Sequence, residues 1–501
     1  MRIFKRTQYD IRRKRGAFGT SFLAVFLVFI CRFFCFGFNY YPQLNDYSYG
    51  IIVKNAVLFT VLLGVVYSLA IALFLSLLEK LFNTSWMFVV IASALPLAIE
   101  GSYVLSNSIR IIPGLFFAAA SVNCFYYCLL NCRKRSFVAC LILLLLCTFF
   151  SPYAAILTIA LNICTLFTVT RDNKRAGVFI AIETVLAIVS IKNNFDALFL
   201  AQYNNTIDFV RPSLFEQIYL CFFEGGYYTV VYGFIRGLMA IVKESNWLYL
   251  ALIVGISVFF ALSSSKSMTQ RKQSAIPELL SGFGLIFASI ISIFLNQDFL
   301  TFSNATVGII GFALIFDATV SVFIRSNKAV AFVASAILCV FCICSVSEIS
   351  DYRETFRKDE KIVSDIMENV ELSKDVNRVA ILNLEPCYVS EQNYHYGEHI
   401  VGATASPKSL TGAINFFGED KGVTYIPISL KNEEIYNENS FGEKALSSAD
   451  KVYLYSQSSG ELKELFIHYL GDGEFELCFE NDELFGKLVE KNHIGMFFEE
   501  N

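Results

Sequence analysis

Eleven stretches of apolar sequence, each near the length that crosses a bilayer, constrain this chain more than any other feature. A hydrocarbon core of roughly 30 Å takes about 20 apolar residues as helix. With no water inside that core, every backbone N–H and C=O must be satisfied within the segment, which leaves the helix as the local solution. The runs lie near residues 18–38, 55–78, 85–103, 111–131, 136–150, 152–170, 175–192, 246–264, 278–296, 303–324 and 329–347. In a chain of 501 residues that is 55% hydrophobic and 17% charged, they predict a multi-pass α-helical membrane protein of about 11 spans. The basic stretch Arg2–Arg15 before the first run has the form of a secretory leader. The run is too long for a leader core, however, and no small-residue cleavage site follows, so it is expected to be the first span with its basic flank in the cytoplasm.

Charge sets the expected orientation. With the N-terminus inside, Lys80, the group Arg133-Lys134-Arg135, the group Arg171, Lys174 and Arg175, the group Lys266, Arg271 and Lys272, and the pair Arg325 and Lys328 all fall on the cytoplasmic side. Asp46, Glu100 and everything after the last span then lie on the outer side of a cell membrane. Residues 226–243 are apolar enough to span but contain Arg236, and a span there would put Lys266, Arg271 and Lys272 outside. The stretch 213–243 is therefore expected to lie at the outer interface as an amphipathic or partly embedded helix. Ser151-Pro152-Tyr153 divides two short runs, because proline lacks a donor and disfavours helix just before it. The expected result is a hairpin reaching the outer surface, with a re-entrant pair as the alternative.

Beyond residue 347 the composition changes. From Glu348 onward lie about 30 of the 44 acidic and about 14 of the 40 basic residues, so an anionic tail follows a cationic membrane part. The sequence divides into a polytopic domain, 1–347, and a soluble extracytoplasmic domain, 348–501. A charged helix is expected over 350–375. Strands are expected at Arg378–Leu384, Val423–Leu430, Lys451–Tyr455 and Phe475–Phe479, and helices near 407–418, 460–469 and 482–491. Together they make a small α/β domain. No glycine-rich phosphate loop follows a strand. Basic residues are scattered, which argues against nucleic-acid binding. Twelve of the 14 cysteines sit in or beside apolar runs; Cys387 and Cys478 are left as a pair for an oxidising compartment. No zinc-type ligand spacing surrounds His395, His399 or His468.

The candidate chemistry lies in the outer loops. Pro42–Gly50 is a short polar loop between long apolar runs and carries one carboxylate, Asp46, flanked by Asn45, Tyr47 and Tyr49. A carboxylate so near lipid loses hydration, although Pro42, Asn45, Asp46 and Gly50 also serve simply as turn residues. In residues 96–114, Glu100 is followed by Tyr103, Asn107 and Arg110, groups suited to a polar substrate or to an ion pair closing the loop. Lys54, Arg110, Arg211 and Arg236 are cations available on the outer side, for a phosphate or as headgroup anchors. Arg32, Glu183 and Asp317 fall inside spans, where they line a path or bind the helices together.

Asn45-Asp46-Tyr47-Ser48-Tyr49-Gly50, then Glu100 with Tyr103, then Ser151-Pro152-Tyr153 resemble in order the acidic outer motifs of the GT-C superfamily of membrane glycosyltransferases. The similarity is to bacterial multi-pass proteins related to the O-antigen glucosyltransferase (GtrII-like) group. Asn45 stands where those proteins often have a second Asp. The motifs cover roughly the first 170 residues, and the remainder is similar only in plan. The resemblance implies transfer of a sugar from a polyprenyl-phosphate donor to a cell-envelope glycan or lipid acceptor such as a polysaccharide, with inversion. Asp46 is then the general base, Glu100 a second catalytic carboxylate, and Tyr153 part of the binding site together with the polar residues and cations named above. No cofactor follows from the sequence, and a divalent metal is left open. A transporter or flippase of lipid-linked saccharides is the alternative; it calls for repeated, interrupted helices, and Ser151-Pro152 is the only break found. A surface-binding module on a membrane anchor is a third reading, for which eleven spans are more than an anchor needs.

Overall fold

The computed structural model describes residues 8–31, 41–42, 44–49, 56–82, 84–99, 108–131, 134–169, 177–189, 215, 219, 227–267, 275–295, 306–324, 326–370, 375–385, 402–418, 422–429, 446, 448–471, 474–481, 483–491 and 495–500. These residues form two compact units. The first takes the described residues of Met1–Tyr40, Asn55–Phe199 and Ser213–Ser350, and the second those of Tyr41–Lys54 and Asp351–Asn501.

The first unit is helical. Four helices are long and apolar enough to cross a membrane: Val57–Leu81, Ile111–Leu130, Pro152–Val169 and Asn327–Asn369. Shorter apolar helices occupy Phe18–Cys31, Trp86–Ala98, Arg135–Phe150, Gly177–Val189, Trp247–Leu262, Ile276–Ile290 and Gly308–Phe323. This is the make-up of a membrane protein, with large apolar side chains such as Leu62, Phe167 and Phe259 left on the outside of the helices. Ser151 separates the helices Lys134–Phe150 and Pro152–Val169. Its hydroxyl accepts from the Ala154 N–H at 3.3 Å, capping the second helix where Pro152 can donate nothing.

Where helices cross closely, small residues make it possible. A Cβ on Gly282 would stand 2.8 Å from the Gly311 carbonyl oxygen, and one on Gly311 would stand 2.6 Å from that of Gly282. The helices Ile276–Leu295 and Thr306–Phe323 therefore touch backbone to backbone. Two of the buried carboxylates of this unit accept from neutral donors. Glu183 accepts from the Cys140 thiol at 3.1 Å and from Asn162 Nδ2 at 2.8 Å. Asp317 accepts from the Ser85 backbone N–H at 2.9 Å and from the Ser85 hydroxyl, at the start of the helix Trp86–Ile99. Both act as the binding groups the sequence allowed, tied to side chains and backbone; Arg32 lies outside the described residues.

The second unit is built on a seven-stranded sheet, β1 Arg378–Leu382, β2 Thr424–Ile428, β3 Lys451–Tyr455, β4 Leu462–Gly471, β5 Glu474–Cys478, β6 Leu484–Lys491 and β7 Gly495–Glu500, in the order β2-β1-β3-β4-β5-β6-β7. β1 pairs parallel with both β2 and β3, and from β3 onward every pairing is antiparallel. Alternation along β1 sends Val379 and Ile381 to one face and Ala380 and Leu382 to the other. The first face meets the helix Pro407–Phe417, the crossover between β1 and β2, and the C-terminal part of the helix Asn327–Asn369 through Val363 and Ile366, with Val370 just beyond it.

Two expected helices are corrected. Residues 460–469 and 482–491 belong to β4 and β6. Their Leu, Glu and Lys content suits a helix locally, but β4 pairs with β3 and β5, and β6 with β5 and β7. Forming a helix at either place would strip two neighbouring strands of their backbone partners. Cys387, His395 and His399 lie outside the described residues.

Replacing Gly311 by Leu should force the two helices apart and lower stability by about 3 kcal/mol, read as a fall in the thermal midpoint of the detergent-solubilised protein. The Asp450 carboxylate accepts from the Asn377 N–H at 2.7 Å and the Arg378 N–H at 2.9 Å, and these bonds hold its pKa below the usual carboxylate value. A group depressed in the folded state stabilises the fold above its unfolded pKa and loses that contribution as pH falls through the folded value. Asp450→Asn should therefore show a shallower loss of stability than wild type in acid, below the ordinary carboxylate range, when unfolding is followed by circular dichroism at successive pH values.

Candidate functional site

The acidic loop singled out in the sequence folds as a six-residue helix, Leu44–Tyr49, with Asp46 in its first turn, where a negative charge faces the unsatisfied N–H groups. It is part of the second unit. A Cβ at Gly412 would collide with the carbonyl of Tyr47, so Gly412 lets this short helix lie directly on the helix Pro407–Phe417. Rings fix the contact. Tyr47 sits 6.0 Å from Phe416 and 6.3 Å from Phe417, Phe417 sits 5.6 Å from Phe356, and Phe356 sits 5.8 Å from Tyr41. Tyr47 thereby joins the core that also holds Val363, Ile381, Leu410 and Tyr453.

Polar groups surround this seat. Asp46 is 2% exposed, Tyr47 2% and Asp359 1%. The Tyr47 hydroxyl has no hydrogen-bond partner among the described residues. Burial raises the pKa of this phenol, and the charges of Asp359, Asp46 and Glu360 raise it further, so the group stays a neutral O–H among carboxylates. Asp359 accepts from the Ala403 N–H at 2.8 Å. Ala403 is held in turn by Ser409, whose hydroxyl donates to the Ala403 carbonyl at 2.7 Å and which forms a capping box with Ser406 at the start of the helix Pro407–Phe417. Asp351, Thr355 and Asp359, at successive intervals of four residues, are buried along the same helix.

Chemically, the carboxylates of Asp46 and Asp359 are hydrogen-bond acceptors and the Tyr47 hydroxyl is a donor. Among the described residues no group of three or more His, Cys, Asp or Glu is placed to hold a metal ion.

Of the residues expected at a site, Asn45, Asp46, Tyr47 and Tyr49 come together on one short helix of the second unit. Arg110 lies in the first turn of the helix Ser108–Asn131, Tyr153 is half-buried at the start of the helix Pro152–Val169, and Arg236 is half-buried on the helix Gly233–Lys243; all three belong to the first unit. Glu100, Lys54, Tyr103, Asn107 and Arg211 lie outside the described residues. Sequence reasoning passed over Asp359, Thr355 and the Ala403 N–H. The only signal was the four-residue spacing of Asp351, Thr355 and Asp359 inside a charged helix.

Removing the buried, unpartnered hydroxyl with Tyr47→Phe should leave stability unchanged or raise it by about 1 kcal/mol, whereas Gly412→Val should lower it by about 3 kcal/mol. Thermal unfolding of the two variants checks the pair. No family model matches this chain, and no curated protein or solved structure matches it either.

Proposed function

We propose that this protein transfers a sugar from a polyprenyl-phosphate-linked donor to a cell-envelope glycan or lipid acceptor on the outer face of the membrane. The observation that carries the reading is that Asp46 is held, nearly inaccessible, on a ring-clamped helix in the same compact unit as Asp359 and the tail sheet. A general base works from a fixed orientation, and the packing of this helix fixes Asp46. The full proposal has eleven spans, the four long helices and the seven shorter ones, with the N-terminus in the cytoplasm and the second unit outside, as the distribution of Lys and Arg favours.

In this scheme Asp46 removes the proton of an acceptor hydroxyl as its oxygen bonds to the anomeric carbon. The bond from that carbon to the phosphate oxygen breaks, and the electron pair leaves with polyprenyl phosphate. Glu100 is the second carboxylate. Lys54, Arg110, Arg211 and Arg236 are the candidate cations for the departing phosphate, and Asn45, Tyr47, Tyr49, Tyr103, Asn107 and Tyr153 the polar and aromatic groups for binding. The Tyr47 hydroxyl and Asp359 orient the acceptor.

The test is purified protein with a polyprenyl-phosphate hexose and an envelope glycan acceptor. Asp46→Asn should lower turnover by roughly 10²- to 10⁴-fold, the usual worth of a general base, and Tyr47→Phe should raise the KM for acceptor while retaining the fold. Equal transfer by wild type and Asp46→Asn removes Asp46 from the mechanism.

A further inference from the structure

The helix Gly233–Lys243 has two apolar faces, and one of them is uncovered. At about 100° per residue, Gly233, Gly237 and Ile241 line one side, which is buried. A Cβ on Gly237 would overlap the carbonyl of Ile343, and Gly233 lies against Cys344, whose thiol donates to the Val230 carbonyl at 3.6 Å. This side is thus clamped on the helix Asn327–Asn369 within the first unit. On the opposite side, Ile235, Met239 and Val242 are 47%, 58% and 45% exposed. Arg236 and Lys243, seven residues apart, share one flank between the two faces.

The helix runs on from the π-helical turn Tyr228–Tyr232, so the described helical stretch is 227–243. Its division into a clamped face, a cationic flank and an uncovered apolar face is that of an interfacial helix, for which length does not decide. Exposed aromatic residues with polar tips, Tyr227 and Trp247, flank Gly233–Lys243, the residue types that settle at the headgroup level. The chain turns sharply at its C-terminus. Ser245 adopts φ 55, and Asn246 N–H donates to the Ile241 carbonyl at 2.9 Å, so the next apolar helix starts at Trp247. That next helix also exposes apolar side chains, Leu248, Val258 and Leu262.

We propose that the outer face of Gly233–Lys243 is a seat for anionic phospholipid of the surrounding bilayer. Acyl chain lies along Ile235, Met239 and Val242, and Arg236 and Lys243 meet the headgroup phosphate from the flank. The clamp on Ile343 and Cys344 fixes which face of the helix is left uncovered. Arg236 is shared with the candidate cations for glycosyl transfer and Lys243 is not, and lipid contact is read without any transfer, so the two readings can fail separately.

The experiment places a reporter on the uncovered face of the full-length protein. Met239→Trp, with Ile235→Trp as a second position should the first fail to fold, is reconstituted into nanodiscs of phosphatidylcholine containing a minor share of phosphatidylglycerol. The quenching lipid is brominated high on the acyl chain and is either the phosphatidylcholine or the phosphatidylglycerol. The introduced indole should be quenched, and more strongly per mole by brominated phosphatidylglycerol. Arg236→Gln and Lys243→Gln should each lower that preference by roughly five-fold, the effect of removing one basic residue at an anionic membrane surface. Emission untouched by either brominated lipid overturns the seat, as it would if water or another protein covers this face. Equal quenching by the two lipids, unchanged in the variants, overturns the anionic headgroup preference.

Discussion

Contact between the backbone of Tyr47 and the helix Pro407–Phe417 is what the arrangement of the second unit rests on. It joins two stretches some 360 residues apart in sequence, and only the missing side chain of Gly412 lets them meet. Once the backbones touch, Tyr47 fills the space between Phe416, Phe417 and the core facing β1 and β3. Asp46, next in the chain, is carried to its buried position by that packing. The carboxylate is therefore placed by its neighbour's ring and by a glycine on another element, while its own chemistry contributes little to where it sits.

The first unit solves a different problem with similar economy. Charged groups inside an apolar bundle are costly unless they are hydrogen-bonded. Glu183 and Asp317 are fully buried, and the donors on them are neutral: a thiol and an amide on Glu183, a backbone N–H and a hydroxyl on Asp317. Each carboxylate ties together helices that the hydrophobic effect cannot order within lipid. The glycine crossing at Gly282 and Gly311 does the same by dispersion and close fit. Together these contacts give polar and small residues a structural part inside otherwise apolar helices.

The apolar helices were legible in the sequence because each satisfies its own backbone, so composition over a window of 20 residues is enough. The strands at Arg378–Leu382, Thr424–Ile428, Lys451–Tyr455 and Glu474–Cys478 were legible as apolar runs of strand length. β4 and β6 were not. Their residues favour a helix when taken alone, and their pairing partners lie on strands that no local window contains. At the candidate site Asp46 was legible, being an isolated carboxylate in an otherwise uncharged loop. Asp359 was hidden among the many charges of a long helix, and the Ala403 N–H has no side-chain signature at all.

What the sequence determined by itself was the division into an apolar, helical part and an acidic tail, since burial preference and backbone satisfaction act within short segments. It also marked Asp46, because a charge between two apolar runs stands out on composition alone. Tertiary structure alone decided that Asp46 and Tyr47 belong with the tail, that Asp359 is buried beside them, and that β4 and β6 are strands. Those outcomes depend on which distant groups can approach within bonding distance. Such approach is governed by a glycine's missing side chain, a cluster of rings and the unpaired edge of a neighbouring strand, none of which is a property of the residues being placed.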